Sequence, residues 1–99
     1  MSAEQQVDIT PLYMIDLVRR MPTAIVLINS EIGKETDILD HLCKMPEVEK
    51  AFLVYGVYDV VAKLRAESME LLEASITTKV RKLKGIRSTL TLIVSRECK

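Results

Sequence analysis

The order in which this chain changes its hydrophobic period constrains its fold more than any other feature. Thr23 to Asn29 (TAIVLIN) is a short, β-branched apolar run of the kind that forms a buried strand. After Gly33 the period lengthens. Ile38, Leu39, Leu42 and Met45 share one helical face, while Lys34, Asp37, Asp40 and Lys44 point elsewhere. Glu35 and Asp37 suit the start of that helix, Lys44 suits its end, and Pro46 stops it. Val48 to Tyr55 and Tyr58 to Arg65 read as two strands, and Gly56-Val57 between them fits a two-residue type II′ turn. Ser68 is placed to cap a second helix with the stripe Met69, Leu72, Ile76, Val80 and Leu83, and Gly85 to end it in the left-handed conformation. Ile86 to Ser95 (IRSTLTLIVS) is the last strand.

Strand, helix, strand, twice over, is the split-βαβ order. The expected fold is therefore α+β and ferredoxin-like (βαββαβ), a four-stranded antiparallel sheet with two helices on one face. Ahead of it, Thr10-Pro11 marks the start of a short helix carrying Met14, Leu17, Val18 and Met21. The chain divides accordingly into an N-terminal extension, residues 1–22, and a domain over 23–97.

Strand side chains alternate between faces. Ala24, Val26 and Ile28 oppose Ile25 and Leu27 in the first strand, and Leu90, Leu92 and Val94 oppose Thr89, Thr91 and Ile93 in the last. Two helices cover only one face of such a sheet, and a second apolar face would exceed the few hundred Å² that monomers leave open. Packing of a second copy across a twofold axis covers it best. The expectation is a sheet-mediated dimer that a charge at Ile93 would break. The alternative is that the N-terminal helix folds back over the open face.

Composition narrows the function. With 99 residues, of which 48% are hydrophobic, the chain can bury one core without disulfides or metal. Its 14 basic and 14 acidic residues cancel, which removes any global attraction to nucleic acid or anionic lipid. No apolar run approaches the ~18 residues of a membrane-spanning helix. The N-terminus, MSAEQQVDITP, has neither the basic nor the apolar region of an export signal. Cys43 and Cys98 have no metal-ligand spacing, so a reducing, cytoplasmic setting is expected. Cys43 reads as a small buried hydrophobe and Cys98 as a thiol on a loose tail.

Little in the chain suggests catalysis. The single histidine, His41, follows Asp37 by one helical turn, where an exposed i, i+4 pair is the plain reading. No Walker A, GxGxxG, HExxH or GxSxG motif is present, and no cofactor or metal is implied. The basic run Lys79 to Lys84 best complements the end of its helix, with a phosphate or nucleic-acid patch as the alternative. The segment Tyr55 to Asp59 is more informative. It joins backbone amides at Gly56, two tyrosine walls and the Asp59 carboxylate, and the last strand opens with hydroxyls at Ser88, Thr89 and Thr91. A free amino acid needs donors, a carboxylate and an apolar wall, and these groups supply all three. Composition alone favours a plain hairpin with threonines of ordinary β-propensity.

At these residues a family resemblance emerges. AIVLINSEIGKETDIL, MPEVEKAFLVYGVYDVVAKLRAESMELL and VRKLKGIRSTLTLIV, with G-x-Y-D at Gly56 to Asp59 and G-I-R-S-T-x-T at Gly85 to Thr91, resemble the C-terminal effector (RAM) domain of the Lrp/AsnC transcriptional regulators. The resemblance implies dimers joined through their sheets, rings of dimers, and an amino-acid site near the hairpin and the last strand. Carried onto this sequence, the ligand-binding candidates are Gly56, Tyr58 and Asp59 with Ser88, Thr89 and Thr91. Asp59 would face the ammonium, and Asp59→Ala is expected to abolish the response with the fold intact.

Members of that family carry an N-terminal helix-turn-helix domain, whereas 22 residues precede the first strand here. The expectation is a stand-alone, non-enzymatic, amino-acid-binding module that binds no DNA directly and co-assembles with full-length regulators. The alternatives are a small dimeric enzyme acting on a metabolite and a purely structural assembly unit.

Overall fold

The computed structural model describes residues 20–98. The helix expected from Thr10 lies almost wholly outside them. Four strands form one sheet: β1 (Thr23–Ser30), β2 (Val48–Leu53), β3 (Val60–Arg65) and β4 (Ile86–Ile93). The order across the sheet is β2-β3-β1-β4, with every neighbouring pair antiparallel. Two helices interrupt the strands, α1 (Glu35–Cys43) and α2 (Met69–Ser75). This is the expected ferredoxin-like arrangement. No helix among the described residues is long and apolar enough to cross a membrane.

The alternation of β1 decides which side is the core. Ala24, Val26 and Ile28 are fully buried, and so are Val60, Ala62 and Leu64 beside them on β3. Ile38 and Leu42 from α1 and Leu72, Ile76 and Val80 from the second helical segment close over them, with Leu39, Met45 and Leu83 at the margin. Each fully buried Leu or Ile contributes about 2 kcal/mol relative to exposure. Cys43 is the exception to the expected burial. It is exposed, because the inward positions of α1 are taken by Ile38 and Leu42.

The other face carries Ile25 and Leu27 of β1, Val61 of β3, Leu90 and Leu92 of β4 and Phe52 of β2. The register aligns Phe52, Val61, Leu27 and Leu90 in one row across the sheet. No helix among the described residues covers them, and Phe52, Leu90 and Leu92 are 50%, 44% and 47% exposed. Ile93 is not on this face. It pairs with Ala24 and shares the helix side, so a charge there does not probe the open face.

A β-bulge accounts for the position of Phe52. Val48 faces Leu64 but Lys50 faces Lys63, so Glu49 is an extra residue without a partner. The bulge resets the alternation and puts Val48 and Phe52 on opposite faces although they are four residues apart. It also brings Glu49 to the open face, where Lys63 (3.1 Å) and Arg65 (3.2 Å) meet it. Glu97, beyond β4, completes the network with Lys63 (2.7 Å) and Arg65 (3.0 Å). Hydrogen bonding to Glu97, and next to Glu49, raises the Lys63 pKa above its usual value, and Lys63 in turn lowers that of Glu97.

Ser68 caps α2 as expected, its hydroxyl accepting from the Leu71 N–H at 3.2 Å. The helix then widens into a π-helical segment, Ile76–Val80, closed by the Arg81 N–H on the Ile76 carbonyl. Gly85 lies beyond it, at φ +91° in the turn into β4 rather than at the helix end. Ser75 at the end of α2 and Lys79 in the π-helical segment both donate to Oε2 of Glu47, at 3.0 and 2.5 Å. Glu47 lies between α1 and β2, and its carbonyl accepts the Arg65 N–H. One carboxylate therefore ties the second helix to the β2–β3 edge.

The Lys79 ammonium, then the residue's own main-chain N–H and the Ser75 hydroxyl, hold the Glu47 carboxyl below its usual 4.5. A folded-state pKa below the unfolded one means that the contribution is full above about pH 4.5 and is lost as pH falls through the folded value. Glu47→Gln is expected to cost about 1 kcal/mol at pH 7. Urea melts of both proteins should show that gap closing as the pH drops below 4.5.

Candidate functional site

The antiparallel order brings three chain segments to one corner: the end of β1, the residues entering β3, and the start of β4. The expected two-residue hairpin turn does not form there. The last ladder pair is Leu53 with Val60, and the Val54 N–H donates to the Asp59 carbonyl at 2.9 Å, leaving Tyr55 to Tyr58 as a four-residue loop. Gly56 at φ +144° is far from the value near +60° that a type II′ turn needs at that position. Asp59 turns instead toward β1. Its N–H donates to the Ile28 carbonyl at 2.9 Å, and its Oδ2 accepts from the Ser30 N–H at 2.8 Å and the Ser30 hydroxyl at 3.2 Å.

Asp59 thereby lines a cleft of about 510 Å³ with Asn29, Ser30, Ile32, Arg87 and Ser88. Asn29 donates through Nδ2 to the Ser88 hydroxyl at 3.1 Å across the β1–β4 pair. Ile32 presents an almost fully exposed aliphatic side chain. A second bulge determines Arg87. Asn29 faces Ser88 but Ser30 faces Ile86, so Arg87 has no partner in the ladder. Its exposed guanidinium makes no hydrogen bond or ion pair with a described residue, and Oδ1 of Asp59 is likewise uncommitted. The cleft offers a planar cation, half of a carboxylate, a hydroxyl–amide pair and an apolar wall. Such a set matches the two charged ends of a zwitterion.

Of the six candidates from the sequence, the structure brings Asp59 and Ser88 together in this cleft. Gly56 and Tyr58 stay on the adjoining loop and do not line it. Thr89 and Thr91 pair with Ile28 and Val26, so they share the helix-side face, opposite to Ser88. Asn29, Ser30, Ile32 and Arg87 were not singled out. Once β1 is placed between β3 and β4, its C-terminal Asn29-Ser30 must flank Asp59 and Ser88, and that signal was available. The bulge that frees Arg87 left no mark in the alternation.

His41 lies elsewhere, exposed on α1, with Nδ1 donating to the main-chain carbonyl of Asp37 at 2.8 Å rather than to its carboxylate. Among the described residues no group of three or more His, Cys, Asp and Glu side chains could hold a metal ion.

The model of the Lrp/AsnC ligand binding domain matches residues 23–99. The chain belongs to the Lrp/AsnC family. An uncharacterized HTH-type transcriptional regulator of Pyrococcus abyssi is 33% identical over 72 residues, 73% of this chain and 46% of that protein. The chain thus spans about half the length of the curated relatives it matches. A crystal structure of a hypothetical protein from Pyrococcus horikoshii is 39% identical, with a TM-score of 0.73 over 78% of this chain and 93% of that one. The transcriptional regulator NMB0573 of Neisseria meningitidis, solved as its L-Met complex, has a TM-score of 0.73 at 18% identity, covering 96% of this chain and 61% of that one. At that identity the likeness is one of fold. The relatives place this Lrp/AsnC domain among regulatory ligand-binding domains.

The bonds to Ser30 give Asp59 a structural duty besides any ligand. Asp59→Ala leaves the buried Ser30 N–H without its acceptor, a loss of about 1–3 kcal/mol. Asp59→Asn keeps an oxygen for Ser30 and removes only the charge. Thermal melts should therefore show a clear drop for the alanine variant and near-parental stability for the asparagine one.

Proposed function

We propose that this chain is a non-enzymatic effector module that binds a free amino acid in the Asp59 cleft and self-associates through its open sheet face. Arg87 takes the ligand α-carboxylate, Oδ1 of Asp59 takes the ammonium, the Asn29–Ser88 pair completes the polar side, and Ile32 meets the side chain. The observation that carries this reading is that Arg87, with no ion pair to a described residue, and the half-committed Asp59 line one open cleft, within a domain of a ligand-binding regulatory family. The Neisseria relative, bound to L-methionine, supports an amino acid as the ligand class. Gly56, Tyr58, Thr89 and Thr91 receive no ligand contact within one protomer in this proposal.

Catalysis is disfavoured by the site's make-up. The Asp59 carboxylate is bonded to main chain, His41 is on another element, and among the described residues no second acid or base lines the cleft. The effect of the ligand is then a shift between assembly states, which requires it to bind one state more tightly than another. Co-assembly with full-length Lrp/AsnC regulators would use the same open face.

Thermal-shift screening against the common amino acids tests the ligand. A ligand at 100 times its Kd adds about 2.7 kcal/mol and should raise Tm by several degrees. Arg87→Ala and Asp59→Asn should each weaken the selected ligand by about tenfold or more, as loss of a charged hydrogen bond does. No shift with any amino acid sinks the proposal.

The assembly has its own test. Leu90→Glu, in the centre of the apolar row, should convert the oligomer to a smaller species in sedimentation or light scattering. Ile93→Glu, on the helix side, should leave it assembled. Equal behaviour of the two variants would remove the open face as the interface.

A further inference from the structure

A second depression, of about 450 Å³, lies between α1 and the turn that follows the second helical segment. Lys34, Asp37, His41, Lys82, Leu83 and Lys84 line it. Three lysines and one aspartate are thus among its lining, and none of the three lysines makes an ion pair with a described residue. Lys79, from the same basic run, is by contrast committed to Glu47. Lys82 and Lys84 follow Val80, the last helical residue, and neither side chain hydrogen-bonds a described helix carbonyl.

The fold holds these cations together by a specific close approach. The Glu31 N–H donates to the Gly85 carbonyl at 2.6 Å, clamping the two turns. Gly85 sits at φ +91°, and a Cβ there would stand 2.7 Å from Cβ of Lys34. Glycine is required twice over, by its backbone conformation and by this contact. The turn carrying Lys82 and Lys84 rests against Lys34 only because that side chain is missing. His41 spends Nδ1 on the Asp37 carbonyl, which leaves Nε2 as the ring nitrogen open to a ligand.

We propose that this depression binds a phosphate-bearing small molecule, independently of the Asp59 cleft. Three lysines against one aspartate leave the lining net positive, a balance that a bound anion improves. Lysine ammonium groups suit a phosphoryl group, which they approach as point charges from several directions. Leu83 and the His41 ring give the remainder of such a ligand a less polar wall. The volume falls within the ~300–1,000 Å³ of small-molecule sites. A neutral chain has no broad positive field to hold a polymeric polyanion, which favours a compact ligand over a nucleic acid.

The test titrates the full chain with inorganic pyrophosphate and with ATP at physiological salt, by calorimetry and by amide NMR. Saturable binding at one site per chain is expected, with shift changes centred on residues 34, 41 and 82–84. Lys82→Glu with Lys84→Glu should weaken it by about a hundredfold, since each charged contact is worth roughly a factor of ten or more. Lys50→Glu with Arg96→Glu makes the same change in net charge away from the depression and should leave binding nearly unchanged. Circular dichroism checks the fold of both variants, and the NMR map of the parent chain decides the matter if either fails to fold. The proposal is overturned by no saturable binding up to about 10 mM, by equal loss in the two variants, or by shifts centred on Asp59 and Arg87.

Discussion

The structure depends on the register of β1. This strand is hydrogen-bonded on both sides, to β3 and to β4, and its parity assigns every side chain in the sheet to a face. Ala24, Val26 and Ile28 go to the helices, and Ile25, Leu27 and Asn29 go to the open side. A slip of one residue would exchange the two sets and bury Asn29 beneath the helices. The core, the apolar row on the open face and the cleft at the strand's end are three consequences of the same pairing.

Two bulges, one between β2 and β3 and one between β1 and β4, then modify the sheet where function is proposed to reside. At Glu49 the extra residue turns an acid toward Lys63 and Arg65 and swings Phe52 to the open face. At Arg87 it releases a guanidinium from the ladder at the edge of the cleft. In both cases an inserted residue changes the direction of a side chain without changing the topology. Regular alternation would leave the open face without its aromatic residue.

Much of the fold was legible because it rests on periodicity. The stripes through Ile38 and Leu42, and through Leu72, Ile76 and Val80, mark the buried sides of both helices, and Ser68 marks a start that its hydroxyl does cap. What alternation does not encode was read less well. Cys43 is no less apolar than its neighbours, yet it falls outside the inward stripe. Gly56-Val57 has the composition of a tight turn, but Asp59 is drawn to Ser30 of a distant strand. The cleft was half legible for a similar reason. Asp59 and Ser88 stand in recognisable motifs, while Asn29, Ser30 and Arg87 gain their places only from strand order and a bulge.

The ion network at the end of the open face makes the chain's last residues part of the sheet's surface chemistry. Lys63 and Arg65 are two positions apart on one strand and project to the same side, so each raises the electrostatic cost of the other. Glu49 alone offsets one charge of the two. Glu97 supplies the second, from a segment outside the ladder. Shortening the chain by three residues would therefore turn a balanced four-residue network into a cationic one, without touching any strand. Two copies meeting face to face would then bring like charges toward each other. The far end of the sequence sets the sign of a surface whose shape is fixed much earlier in the chain.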